Sequence, residues 1–181
     1  MRIESLHLLR QACWEELQRA TRERAHGWRV MTLATVDAGG AEARSIIVRE
    51  VDASLQRLVF FTDERSPKLR QLQLHPQGTL LAWCRQLSWQ IRLRVSLCRE
   101  SDQRLEQSRW ARLQDSPAAQ DYLAPRAPGK PLAHAAGGPP TAAAHFAMVN
   151  AQVESLDWLE LHPDGHRRAL FDAAGGRWVQ P

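Results

Sequence analysis

The sequence predicts an α+β protein whose antiparallel strands curl into a barrel with helices at its flanks. Three observations carry this expectation. Short runs rich in β-branched and aromatic residues recur along the chain. Gly, Asp and Pro turn signals separate them. Apolar spacings of three and four, the mark of an amphipathic helix, are confined to a few segments beside those runs.

Taken in order, residues 5–26 carry Leu6, Leu9, Cys13, Leu17 and Ala20 at spacings of three and four between charges, an amphipathic helix that Gly27 stops. The period then changes. Residues 30–36 read as a strand ending at the turn Asp37-Ala38-Gly39-Gly40, and residues 41–51 return as its hairpin partner. Residues 57–62 form a third strand, after which Ser66 and Pro67 supply an N-cap and an N1 proline for a helix over residues 68–74. Residues 78–84 and 88–97 give two further strands, the second with Gln90, Arg92 and Arg94 on one face and Ile91, Leu93 and Val95 on the other. Residues 101–114 regain helical spacing, with Ser101 as the candidate cap. A Pro/Gly/Ala-rich loop over residues 123–144 is too long for an ordinary connection. Residues 149–161, 166–171 and 177–179 read as closing strands. The whole 181-residue length fits one domain.

Composition narrows the function classes. No apolar run approaches the ~20 residues that span a bilayer, and Glu4, Glu15 and Glu16 interrupt any signal-like core, so a cytoplasmic protein free of membrane is expected. Cys13, Cys84 and Cys98 have no ligand-like spacing and read as buried free thiols. A formal charge of +4 leaves most arginines as solvated surface. Arg104, Arg109 and Arg112 are interrupted by Glu106 and Asp115, with no nucleic-acid-binding motif beside them, so no nucleic-acid partner is expected. His162 and His166 are four apart, but Pro163 and Gly165 make their segment a turn, which argues against a metal site.

The chemistry concentrates in residues 43–49 and 59–68. Arg44 and Arg49 are five apart on a strand and so face opposite ways unless a bulge intervenes. Ser66 and Lys68 stand at a helix N-terminus, where backbone N–H groups and the helix dipole favour a phosphate. Lys68 and Lys130 are the only lysines in the sequence.

The succession MTLATVDAGGAEARSIIVREVD (residues 31–52), LVFFTDERSPKLRQL (58–72), LSWQIRLRV (87–95) and HRRALF (166–171) resembles the FMN-binding core of the pyridoxamine 5'-phosphate oxidase family, in particular its shorter, oxidase-like branch. The resemblance implies a six-stranded antiparallel split barrel acting as a homodimer, with FMN as cofactor in a cleft between two subunits. It implies that Arg44, Ser45, Ile46, Ile47, Val48 and Arg49 line the flavin, with Arg44 at its phosphate. Phe61 and Thr62 would stand beside the ribityl chain and ring, and Lys68 at the phosphate, next to the helix-start position of Ser66 already read as a phosphate site. Gln90 and Arg168 would reach the flavin from the neighbouring subunit, and His166 would belong to the substrate site. The second aromatic contact of the family falls on Leu159, unless Trp158 replaces it through a one-residue shift.

Departures from the family pattern matter equally. Pro67 stands where the family has a basic residue, its Arg-x-His substrate motif is reduced to His166, and residues 124–128 lack its Gln-Ser phosphate pair. The expectation is therefore an FMN-dependent oxidoreductase acting on an unidentified small molecule, with pyridoxamine 5'-phosphate a poor substrate and no side chain assigned as catalytic. The second expectation is a non-catalytic protein that holds flavin or haem on the same fold.

Overall fold

The computed structural model of the chain describes residues 2–132 and 144–181. Its first helix, α1 (Leu6–Arg22), begins where the Ser5 hydroxyl accepts the Leu8 amide. The helix buries the stripe Leu9, Cys13, Trp14, Leu17 and Ala20. Burial pushes the Cys13 thiol pKa up, with Glu16 adding to the effect.

α1 ends short of the expected residue 26, because Glu23 takes extended backbone and the chain folds back beneath the helix. His26 makes that turn hold. Its Nδ1 accepts the Trp28 amide at 3.1 Å, so Nε2 carries the proton that it donates to Glu16 Oε2 at 2.9 Å. Gly27 serves close approach rather than helix termination: a Cβ there would lie 2.6 Å from Cys84 Cα and 2.8 Å from the Trp83 carbonyl.

Eight strands follow in one antiparallel sheet: β1 (Val30–Asp37), β2 (Gly40–Asp52), β3 (Arg57–Asp63), β4 (Gln77–Cys84), β5 (Trp89–Arg99), β6 (Phe146–Glu160), β7 (Arg167–Asp172) and β8 (Gly175–Val179). The order is β3-β2-β1-β4-β5-β6-β7-β8, and β3 also pairs with β6, so the first six strands close into a ring. Closure removes the open edges that β3 and β6 would present. β6 is long enough to pair with β3 over residues 146–152 and with β7 over residues 156–160.

The remaining elements are α2 (Pro67–Leu74), α3 (Gln103–Leu113) and a short 3₁₀ helix at Pro117–Tyr122. Asp102 rather than Ser101 caps α3, its carboxylate accepting the Arg104 and Leu105 amides. Half of the loop expected over residues 123–144, residues 133–143, lies outside the described residues. Alternating inward residues such as Leu33, Ile46, Val48, Leu80, Ile91, Leu93 and Val149 fill the ring. Cys13 and Cys84 are buried as expected, whereas Cys98 near the end of β5 is exposed, which corrects that expectation. Among the described residues no helix is long and apolar enough to cross a membrane.

Gly27→Ala tests the close approach of the α1–β1 turn to β4. The added methyl should lower stability by about 1–3 kcal/mol, the range for overpacking, read as a reduced urea midpoint; an unchanged midpoint would contradict the packing described.

Candidate functional site

Strand alternation sends Ile46 and Val48 toward the ring interior and Ser45 and Ile47 to the outer face. The β2–β3 register then shifts between Val48 and Glu50, a bulge that leaves Arg49 as the extra residue. Arg49 turns its guanidinium over Phe61, 5.8 Å from the ring centroid. Arg44 has the opposite parity. Its guanidinium donates to Thr35 Oγ1, to Gln71 Oε1 at 3.0 Å and to Glu42 at 3.2 Å, behind α2.

The turn from β3 into α2 builds a cationic corner. Asp63 is buried, but Arg65 answers it with Nε to Oδ1 at 3.1 Å and Nη2 to Oδ2 at 2.7 Å. That carboxylate is thus already paired. Lys68 Nζ donates to Thr62 Oγ1 at 2.8 Å and Ser66 Oγ at 2.7 Å and forms no ion pair among the described residues. Ser66 precedes α2 as expected, yet its hydroxyl serves Lys68 instead of capping a backbone amide. Burial pulls the Lys68 pKa below the ordinary lysine value, and the nearby Arg44 charge adds to the shift.

Arg49, Asp63, Thr62 and Lys68 meet on one cleft of about 250 Å³, whereas Arg44, expected at the phosphate, is engaged with Thr35, Gln71 and Glu42 and does not line it, which corrects that expectation. Ser45, Ile46, Ile47, Arg49, Phe61, Thr62, Asp63 and Lys68 line it together with Asp121, Tyr122 and Pro128. A larger hollow of about 650 Å³ lies against α2 and includes Ser66, but none of the other predicted residues.

Tyr122 is the functional candidate that sequence reading missed. It is the only tyrosine in the chain, yet it lies between the expected helix over residues 101–114 and the loop over 123–144, where no periodic pattern places a side chain. Its ring packs edge-on against Phe146 at 5.3 Å and Trp110 at 6.1 Å. Burial raises its pKa, while Arg49 pulls in the opposite direction. Val48 is corrected: its side chain is 1% exposed, inside the core, and is not available to a ligand in the cleft.

The other predicted residues form a second group. Gln90 pairs across strands with Leu159, and Leu159 with Arg168, placing these three positions in one row on β5, β6 and β7. Trp158 belongs to the opposite face. It is fully buried, with ring contacts to Trp89 at 5.2 Å and Trp178 at 6.2 Å, so Leu159 takes its place among the candidates. Arg168 forks onto Asp157. His166 is exposed on the β6–β7 turn, where Nδ1 accepts the His162 amide at 3.1 Å.

The two groups are far apart within one chain. Phe61 lies opposite Met148, and Arg168 opposite Leu159, on the same strand β6. Eleven residue steps separate those positions, roughly 36 Å along the strand at ~3.3 Å per residue.

Chemically, the cleft offers the cations Arg49 and Lys68 beside the aromatic rings of Phe61 and Tyr122, with Asp63, already paired to Arg65, and Asp121 also on its lining. The cations and rings of that set fit a phosphate attached to a flat aromatic group. A half-buried lysine held by two hydroxyls, with no ion pair among the described residues, also gives a test. Because its folded pKa is depressed, the unfolded chain holds more protons as pH approaches the lysine value, so this residue makes the ligand-free protein more stable as pH rises through that window. Lys68→Met should flatten that rise, leave ligand-free stability at neutral pH equal or greater, and weaken FMN binding by about 1.5–3 kcal/mol. Thermal melts across alkaline pH and an FMN titration check this; reduced ligand-free stability with unchanged FMN affinity would contradict it.

Residues 11–98 match the family described as pyridoxamine 5'-phosphate oxidase, FMN-binding domain. A pyridoxine/pyridoxamine 5'-phosphate oxidase of Thermosynechococcus vestitus is 44% identical over 64 residues, covering 35% of this chain and 29% of that relative. The chain therefore matches less than a third of that relative's length. A crystal structure of a pyridoxamine 5'-phosphate oxidase-related, FMN-binding protein from Nostoc punctiforme superposes with a TM-score of 0.73 at 23% identity, covering 94% of this chain and 96% of the other. PhzG from Burkholderia lata, solved with tetrahydrophenazine-1-carboxylic acid, gives 0.72 at 17% identity over 94% and 91% of the two chains. At these identities the structural likeness is one of fold. Residues 11–98 thus match the FMN-binding domain of the pyridoxamine 5'-phosphate oxidase family, within a chain that shares the fold of the similar solved structures.

Proposed function

We propose that the chain is a cytoplasmic, FMN-binding split-barrel protein that works as a homodimer and acts as an oxidoreductase on a small organic molecule. The observation that carries this reading is the convergence of Arg49, Phe61, Thr62 and Lys68 on one cleft, with Lys68 lacking an ionic partner among the described residues. When bound, FMN would supply two-electron chemistry at its isoalloxazine ring. The protein's part is binding and electrostatics. Lys68 and the start of α2 would hold the phosphate, with Arg44 supporting the positive potential from behind. Phe61 and Ile47 would flank the ribityl chain and ring, with Ile46 presenting only its backbone there, and Arg49 and Tyr122 would face the substrate side.

Distance favours a second copy. Gln90, Leu159 and Arg168 are too far along β6 from Phe61 to meet the same flavin within one chain, so a partner would supply them. An exposed apolar strip supports this. Val30, Ile47, Leu81 and Trp83 are 52%, 37%, 38% and 42% exposed on the outer face. The cross-strand rung Ser45, Thr32, Leu81, Arg92 and Asp157 runs over that face from the cleft toward the Arg168 row. Such a face suits an isologous contact.

FMN reconstitution with light scattering tests this reading. The wild type should be a yellow dimer with one FMN per chain. Trp83→Glu, which buries a charge in the contact, should shift the protein to monomer and lose FMN together; a monomer that binds FMN stoichiometrically would contradict the shared site. Slow reoxidation with every candidate substrate would favour the binding-only reading.

Pyridoxine and pyridoxamine 5'-phosphate should be poor substrates. A phosphorylated substrate needs its own cationic anchor, and the β6–β7 turn carries Asp164 and Gly165 before an exposed His166. Losing one charged partner costs about 1.5–3 kcal/mol, roughly tenfold or more in affinity. Turnover of either compound at about 1 per second or faster, at micromolar substrate, would contradict this.

A further inference from the structure

Asp157 stands on β6 between two arginines. Arg92 is its direct cross-strand neighbour on β5 and donates to Oδ2. Arg168 approaches from β7 by a diagonal route. Its backbone lies opposite Leu159, whereas the residue opposite Asp157 is Leu170. The Arg168 side chain therefore leans along the strand to close a two-point fork, Nε to Oδ1 at 2.9 Å and Nη2 to Oδ2 at 2.8 Å. A fork of this kind fixes the plane of the guanidinium as well as its position.

The carboxylate is 7% exposed. Burial alone pushes its pKa up, but hydrogen bonds and charge from Arg168 and Arg92 hold it below the ordinary carboxylate value. Asp157 is thus ionised at neutral pH, and the three side chains together carry one net positive charge. A buried, ionised carboxylate tying two arginines of neighbouring strands gives Arg168 a fixed orientation that a solvated arginine would lack.

We propose that Asp157 is a positioning residue: it holds the Arg168 guanidinium in the orientation presented to a flavin in the partner's cleft, where that charge favours the reduced, more negative flavin over the oxidised one. The inference rests on the flavin reading above. It assigns Asp157 no contact with the flavin, and it assigns Arg92 the supporting task of keeping the carboxylate in place.

The midpoint potential of bound FMN tests it, compared among the wild type, Asp157→Asn, Arg168→Gln and the double variant. Positioning predicts that Asp157→Asn lowers the potential in the same direction as Arg168→Gln, by about 30 mV for a tenfold loss of preference in a two-electron couple. The double variant should fall no further than Arg168→Gln alone. A potential that rises in Asp157→Asn would mean that the aspartate acts by its own charge, and an unmoved or additive response would mean that it does not act through Arg168; each overturns the inference. If Asp157→Asn does not fold, Arg168→Lys asks the same question, since lysine keeps the charge and loses the fork. It should match the lowered potential, and a wild-type value overturns the inference. A wild-type protein that takes up no FMN overturns the flavin reading and this inference with it.

Discussion

β6 pairs with β5 along most of its length, with β3 at its start and with β7 at its end. The first half closes the ring and the second half carries an extension beyond it. Phe61, fixed by β3, therefore belongs to one end of the strand, and Arg168, fixed by β7, to the other. Backbone hydrogen bonds set this separation, and side-chain motion cannot cancel it. Val30, Ile47, Leu81 and Trp83 are exposed on the strands between the two groups.

The two ends differ in electrostatic state. At the cleft, Asp63 is taken by Arg65, which leaves Lys68 with hydroxyl partners and a depressed pKa. At the far end, Arg168 already has a carboxylate. An anion arriving at the cleft would relieve the strain of a desolvated ammonium, whereas Arg168 is arranged in advance and needs only an acceptor at its free edge. On the proposed reading, phosphate anchoring and charge tuning fall to different parts of the chain.

Much of this was legible in the sequence because strand period and turn residues are local. The hairpins, the inward and outward parity of β5, and the opposite facing of Arg44 and Arg49 all follow from alternation. The bulge at Arg49 does not, since it depends on pairing with β3. Trp158 against Leu159 was a question of parity near a register shift between Arg94 and Val95, which no local pattern reveals. Tyr122 was illegible because a 3₁₀ segment has no periodic face, and its place is set by packing on Phe146 and Trp110. Asp157 escaped notice for a related reason: its meaning comes from Arg92 and Arg168, each distant in sequence. The expected cap at Ser101 gave way to Asp102, whose carboxylate reaches two amides.

The central claim is that one flavin site is completed by residues of two chains. Mixing Lys68→Ala chains with chains carrying Gln90→Ala and Arg168→Ala, after dissociation and reassociation, measures this directly by tight FMN binding. A mixed dimer holds one site with every group intact and one with both defects, so random pairing should restore about one site in four, although neither parent binds tightly. Restoration near that fraction agrees with a shared site. No restoration in a mixture whose heterodimers are demonstrated by mass spectrometry would contradict it.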